Sequence, residues 1–142
     1  MTETVTLSVP SHPKHLYLIR SVLYPFAIGA GFPKQEARRI VLAVDEACSN
    51  IIKYAYRGSA DKRIDVLLSA DSDGITVQLK DTGEKPDLST IAPRKLEDVR
   101  PGGLGMHFIK AAFDSVDYDT SGKHGTVLTL RRTKPKDALV RS

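Results

Sequence analysis

The chain has 142 residues, 41% apolar and 27% charged, which suffices for one domain with a hydrophobic core and is too balanced for a disordered or fibrous protein. Its one cysteine, Cys48, excludes an internal disulfide and a multi-cysteine metal site. The net charge of +4 is modest, and the basic run Arg131-Arg132-Thr133-Lys134-Pro135-Lys136 has no interleaved aromatics, so it reads as a solvated terminus and no direct nucleic-acid partner is expected. A positive bias suits a phosphorylated ligand or an acidic partner equally well. No apolar run approaches the ~20 residues that span a bilayer. Met1-Thr2-Glu3-Thr4 lacks the pattern of a secretion signal. A cytoplasmic protein without a membrane partner is the expectation.

Val5, Leu7 and Val9 alternate with Thr4, Thr6 and Ser8, which predicts a half-buried strand. Pro10 and Pro13 break it. Leu16, Ile19, Leu23 and Phe26 recur at helical spacing from about His15 towards Ala30, with Pro25 as a kink or shortening point. Gly29 and Gly31 read as the stop, and Pro33 suits the first turn of the next helix. That second helix is the clearest element, from about Pro33 to Tyr56, with Ile40, Val44, Ala47, Ile51 and Ala55 on one apolar face.

A hairpin follows, with Ile64, Val66 and Leu68 on one strand and Ile75, Val77 and Leu79 on the other, turned by Asp71-Ser72-Asp73-Gly74. Its second strand delivers Asp81 just before Gly83. The stretch Glu84 to Pro101 has weak periodicity and three prolines, which predicts a long lid-like connection. Gly103 to Asp114 reads as a third helix, and Asp117-Tyr118 with Thr126 to Leu130 as a closing hairpin. Hairpin-rich strands with helices clustered in sequence favour an α+β two-layer sandwich over a parallel doubly wound sheet.

Three segments carry chemistry. At 100° per residue, Glu46, Asn50 and Lys53 share a stripe beside the apolar face. A proton-accepting carboxylate, an oxygen ligand for a hard cation and a phosphate-reaching amine are what a magnesium-nucleotide site needs. Alone, the stripe reads first as a solvated helix face, although a mid-helix Asn asks for a reason. Asp81-Thr82-Gly83 is a strand-end turn, and equally a carboxylate able to accept from an exocyclic amine beside a glycine that admits close approach. Gly102-Gly103-Leu104-Gly105 is the stronger signal: three glycines in four residues before an amphipathic helix aim amides and a positive helix end at an anion such as a di- or triphosphate. Neither a dinucleotide fingerprint nor a P-loop is present. Cys48 reads as a buried small hydrophobe; the four histidines are scattered, and His107, on the polar side of the third helix, reads as a surface residue.

Together, Glu46-x-x-x-Asn50, Asp81-x-Gly83 and Gly103-x-Gly105 resemble the N, G1 and G2 boxes of the GHKL (histidine kinase-like) ATPase superfamily, which includes gyrase B and MutL. The run Glu46-Ala47-Cys48-Ser49-Asn50-Ile51-Ile52-Lys53-Tyr54-Ala55-Tyr56 and the short length look closer to the RsbW/SpoIIAB-like anti-sigma factors, which are serine-protein kinases. The resemblance implies a Bergerat-type sandwich with a mixed, mostly antiparallel sheet covered by helices on one face. It implies one kinase domain over residues 1–134, with 135–142 a basic flexible tail. Glu46 would be the general base, Asn50 the magnesium (Mg2+) ligand, and Lys53 a neighbour of the phosphates. Asp81 would bind the adenine of ATP or ADP, helped by Thr126 through a water, with Gly83 allowing approach and Gly103, Leu104 and Gly105 wrapping the phosphates. Arg20, on the first helix, would bind a partner protein. The partners implied are a sigma factor or comparable regulatory target and a STAS-domain anti-sigma factor antagonist, phosphorylated in a partner-switching system; a homodimer is left open. The other readings are a sequestering nucleotide-binding module without kinase activity, and a GHKL ATPase. One departure stands out: Glu84-Lys85-Pro86 follows Gly83, without the second glycine seen in many superfamily members.

Overall fold

A computed structural model describes residues 2–86 and 103–134, with backbone alone for 103–107. Five strands, β1 (Glu3–Pro10), β2 (Arg63–Ala70), β3 (Gly74–Asp81), β4 (Ser115–Asp119) and β5 (Thr126–Thr133), form one sheet in the order β1-β2-β3-β5-β4. Where a mixed sheet is expected, all four pairings among the described residues are antiparallel. Among the described residues, the α-helices α1 (Leu16–Gly29), α2 (Lys34–Asn50) and α3 (Gly103–Ala112) complete the two-layer sandwich.

The register explains why helices sit on one face. Leu7 faces Val66, Val66 faces Leu79, Leu79 faces Leu128 and Leu128 faces Tyr118, so period-2 alternation in every strand gathers the apolar side chains on the same side. Ile64, Leu68, Ile75, Val77 and Leu130 on that side are fully buried. The other side carries Thr76, Gln78, Thr129 and Arg131, linked by Gln78–Thr129 and Arg131–Thr76 hydrogen bonds. A face that hydrogen-bonds to itself and to water needs no second layer.

Helix α1 buries Leu16, Ile19, Leu23 and Ala27, and Phe26 is partly buried. Pro25 stays inside it on the exposed side, where the carbonyl it leaves without a donor meets solvent. The helix closes when the Phe32 and Gly31 amides donate back to the Ala27 and Ile28 carbonyls, and Pro33 is the N-cap of α2 rather than its first residue. Helix α2 buries Ile40, Val44 and Ala47 as its spacing predicts, and Cys48 as well.

Two expectations are corrected. The predicted helix from Pro33 to Tyr56 does not keep one winding: α2 ends at Asn50 and Ile51–Ala55 are a π-helical turn, with the Tyr56 amide on the Ile51 carbonyl. The basic run starting at Arg131 is not wholly a solvated tail. Arg131 and Arg132 lie inside β5; Arg131 bonds Thr76 and Asp71, and Arg132 bonds Glu36 of α2 and faces Asp114. Those pairs join the sheet to the start of α2, a location that charge counting cannot see. The expected tail 135–142 and most of the expected lid lie outside the described residues.

Candidate functional site

Asp81 is the last residue of β3 and Thr126 the first of β5, and the two are cross-strand partners on the helix-covered face. Both are buried, at 5% and 6% exposure. Alternation that makes Leu79 and Leu128 core residues brings a carboxylate and a hydroxyl into the same layer at the sheet's end. The Asp81 carboxylate accepts the Gly83 amide at 2.9 Å and the Thr126 amide. Burial pushes its pKa up from the ordinary carboxylate value, and the two amides oppose the shift. Thr126 Oγ1 has no hydrogen-bond partner among the described residues. A buried hydroxyl left unsatisfied beside a desolvated carboxylate is costly in an ordinary core, and both are accounted for if a polar group of a ligand meets them there.

Close backbone approach shapes the same corner. A Cβ on Gly83 would overlap the Ala55 carbonyl, and one on Gly125 would overlap the Asp81 carbonyl. Gly125 also has φ +71°, in the left-handed region. Sequence reasoning missed Gly125; its signal was its place directly before Thr126. The Glu84 amide donates to the Ala55 carbonyl at 2.8 Å, which docks the end of β3 onto the π-turn. Lys85 Nζ reaches the Gly122 carbonyl at 2.6 Å, so the residues that replace the second glycine are held from both sides.

Helix α2 contributes the other half. Glu46 and Asn50 are half-buried, one turn apart, and their side chains make no hydrogen bond among the described residues. Lys53 is exposed and lies in the π-turn, so the α-helical angle that aligned it with Asn50 does not hold there. π-turns inside helices recur at functional sites. Gly103, Leu104 and Gly105 form the first turn of α3, where backbone amides lack intrahelical partners, and α3 packs on α2. The structure thus brings Asp81, Gly83 and Thr126 together and sets them against the end of the helix that carries Glu46 and Asn50.

Arg20 stands apart from this corner. It is half-exposed, and its guanidinium pairs with Asp45 of α2 at 2.6 Å. Cys48 is buried, and burial, with Asp45 second, raises its thiol pKa far beyond the reactive range. No group of three His, Cys, Asp or Glu residues that could cage a metal occurs among the described residues. The half-buried Asn50 carboxamide offers an oxygen of the kind a hard cation accepts. No helix among the described residues is long and apolar enough to cross a membrane.

Comparison with known proteins places the chain in a family. Residues 9–132 match the family model of the histidine kinase-like ATPase domain. The serine-protein kinase RsbW of Listeria innocua is 33% identical over 82% of this chain and 79% of that protein. RsbW of Bacillus subtilis is 25% identical over 79% of this chain and 75% of that one. A crystal structure of RsbU and RsbW domains from Mycobacterium tuberculosis superposes with a TM-score of 0.66 at 16% identity, over 94% of this chain and 33% of that chain, which speaks to the fold. With a family match over most of its length and a relative one-third identical, this chain belongs to the histidine kinase-like ATPase family, as an RsbW-like member.

Proposed function

We propose that this protein is an anti-sigma factor and ATP-dependent serine-protein kinase. It transfers the γ-phosphoryl group of ATP to a serine or threonine of a STAS-domain antagonist, and it sequesters a sigma factor when that antagonist is phosphorylated. The observation that carries the nucleotide part is the buried pair Asp81 and Thr126, with an unpartnered hydroxyl beside a desolvated carboxylate. Its donor–acceptor pattern suits adenine, whose exocyclic amine gives the carboxylate a donor. The names of the RsbW relatives support the kinase part.

In this reading Asp81 binds the adenine amine, Thr126 adds a water-mediated bond and Gly83 leaves room for the ring. Gly103, Leu104 and Gly105 direct main-chain amides at the phosphates, and Lys53 lies near them as a mobile cation. Asn50 holds magnesium through its carboxamide oxygen; the ion supplies charge neutralisation on the phosphate oxygens when bound. Glu46 takes the proton of the attacking hydroxyl, one helical turn from Asn50. Arg20 contributes to a partner surface on α1. Positioning and electrostatics do most of the work, since phosphoryl transfer asks little covalent chemistry of the protein.

The test is incubation with labelled ATP, magnesium and a STAS-domain antagonist, comparing the wild type with Glu46→Ala. Transfer to serine should fall by at least about 100-fold in the variant, while its ADP affinity and partner binding persist. Transfer that survives the substitution removes Glu46 from the base role; ATP hydrolysis without transfer favours the plain ATPase.

A further inference from the structure

We infer that Tyr56 is a positioning residue for the base end of this site, acting through the main chain of Thr82; the inference rests on the nucleotide-binding reading above. Tyr56 is the first residue after the π-turn and is only 6% exposed. Its hydroxyl donates to the Arg63 carbonyl at 2.5 Å and accepts the Thr82 amide at 2.9 Å. A phenol has one proton to give and lone pairs to receive, so both bonds form at once. Thr82 stands between Asp81 and Gly83, and among the described residues its amide is held by the Tyr56 hydroxyl.

The bond is one of a series. Gly83 lies against the Ala55 carbonyl and the Tyr56 ring, and the Glu84 amide bonds the Ala55 carbonyl. The exposed Arg57–Glu84 ion pair is the outermost link, and solvent screening makes it the weakest. Residues 82–84 are therefore moored, one by one, to residues 55–57. Those residues end the helix that carries Glu46 and Asn50. Tyr56 thus makes one body of the carboxylate that would read the base and the helix that would serve the phosphates.

The consequence is a fraction of competent molecules. When a binding geometry is populated only part of the time, apparent affinity falls by that fraction. Without the phenolic oxygen, the Thr82 amide finds a partner in water, which an exposed residue reaches by moving its turn outward. Tyr56→Phe keeps the ring and its packing and removes the hydroxyl, so the Thr82 amide loses its acceptor and the Arg63 carbonyl loses its donor. It alters no atom placed against the nucleotide.

Calorimetric titration of wild type and Tyr56→Phe with magnesium-ADP and magnesium-GDP tests this, together with amide exchange at Thr82 and at Val77 in the middle of β3. The variant is expected to bind ADP about tenfold more weakly, as for the one hydrogen bond lost at Thr82, at unchanged stoichiometry. Its preference for ADP over GDP should narrow, and Thr82 should exchange faster while Val77 stays protected. A residue needed only for folding would lower the stoichiometry and leave the dissociation constant alone, which would overturn the inference, as would wild-type affinity and preference in the variant. Independently of any substitution, ADP should slow Thr82 exchange in the wild type, and unchanged exchange on binding overturns the inference even if Tyr56→Phe fails to fold. Absence of ADP binding to the wild type overturns the nucleotide reading itself, and this inference with it.

Discussion

Thr126→Val should make the nucleotide-free protein more stable and a poorer binder. Thr126 Oγ1 is buried without a partner among the described residues, and such a group costs about 1–3 kcal/mol. Valine keeps the branched shape that a strand favours, and the Thr126 amide that supports Asp81 is main chain and unaffected. Removing the hydroxyl should therefore return about 1–2 kcal/mol. For a chain of this size that is roughly 3–4 °C in Tm per kcal/mol. The same hydroxyl is lost to the ligand, so ADP binding should weaken about three- to tenfold. Thermal melts with and without magnesium-ADP measure both effects, because the stabilisation conferred by a ligand follows its concentration over its dissociation constant. A variant that melts lower than the wild type without nucleotide, or shows the full wild-type shift with it, refutes the reasoning.

Asp81→Asn should abolish measurable ADP binding while raising thermal stability at neutral pH. Burial raises the Asp81 pKa in the folded state, so this group favours folding most when protonated, below its unfolded pKa, and that contribution is lost as pH rises through the folded value. The stability gap between variant and wild type should accordingly shrink as pH falls from 7 into the ordinary carboxylate range, and a gap independent of pH in melts would refute the shift. Gly125→Ala combines a positive φ with overlap on the Asp81 carbonyl, so urea unfolding should show a loss of at least about 2 kcal/mol and titration a loss of ADP binding; wild-type behaviour would show that this corner is loose.

Local patterns made much of the architecture legible. Alternation in residues 4–9, 64–68 and 75–79 predicts three strands that the sheet contains, and the apolar spacing of Leu16, Ile19 and Leu23 predicts α1. The π-turn was not legible. Ile51, Ile52 and Ala55 satisfy a helical pattern, and Ile51 and Ile52 are buried at the spacing an α-helix would give them, so the change of winding leaves no mark on the apolar pattern. Nor could spacing show that Arg20 pairs with Asp45, or that Arg131 and Arg132 belong to a strand whose ion pairs reach residues 60 and 96 positions away.

By itself, then, the amino-acid order determined which segments become strands and helices, and which polar residues break those patterns as candidates for chemistry. Such choices depend on backbone sterics and on side chains a few positions apart, which a linear reading contains. Only the folded chain decided that Asp81 and Thr126 lie side by side with a hydroxyl unspent among the described residues, that Gly125 must be bare, and that the Tyr56 hydroxyl holds the Thr82 amide next to Asp81. Those facts arise from burial and from register between distant strands, where removal of water sets the energy of each polar atom.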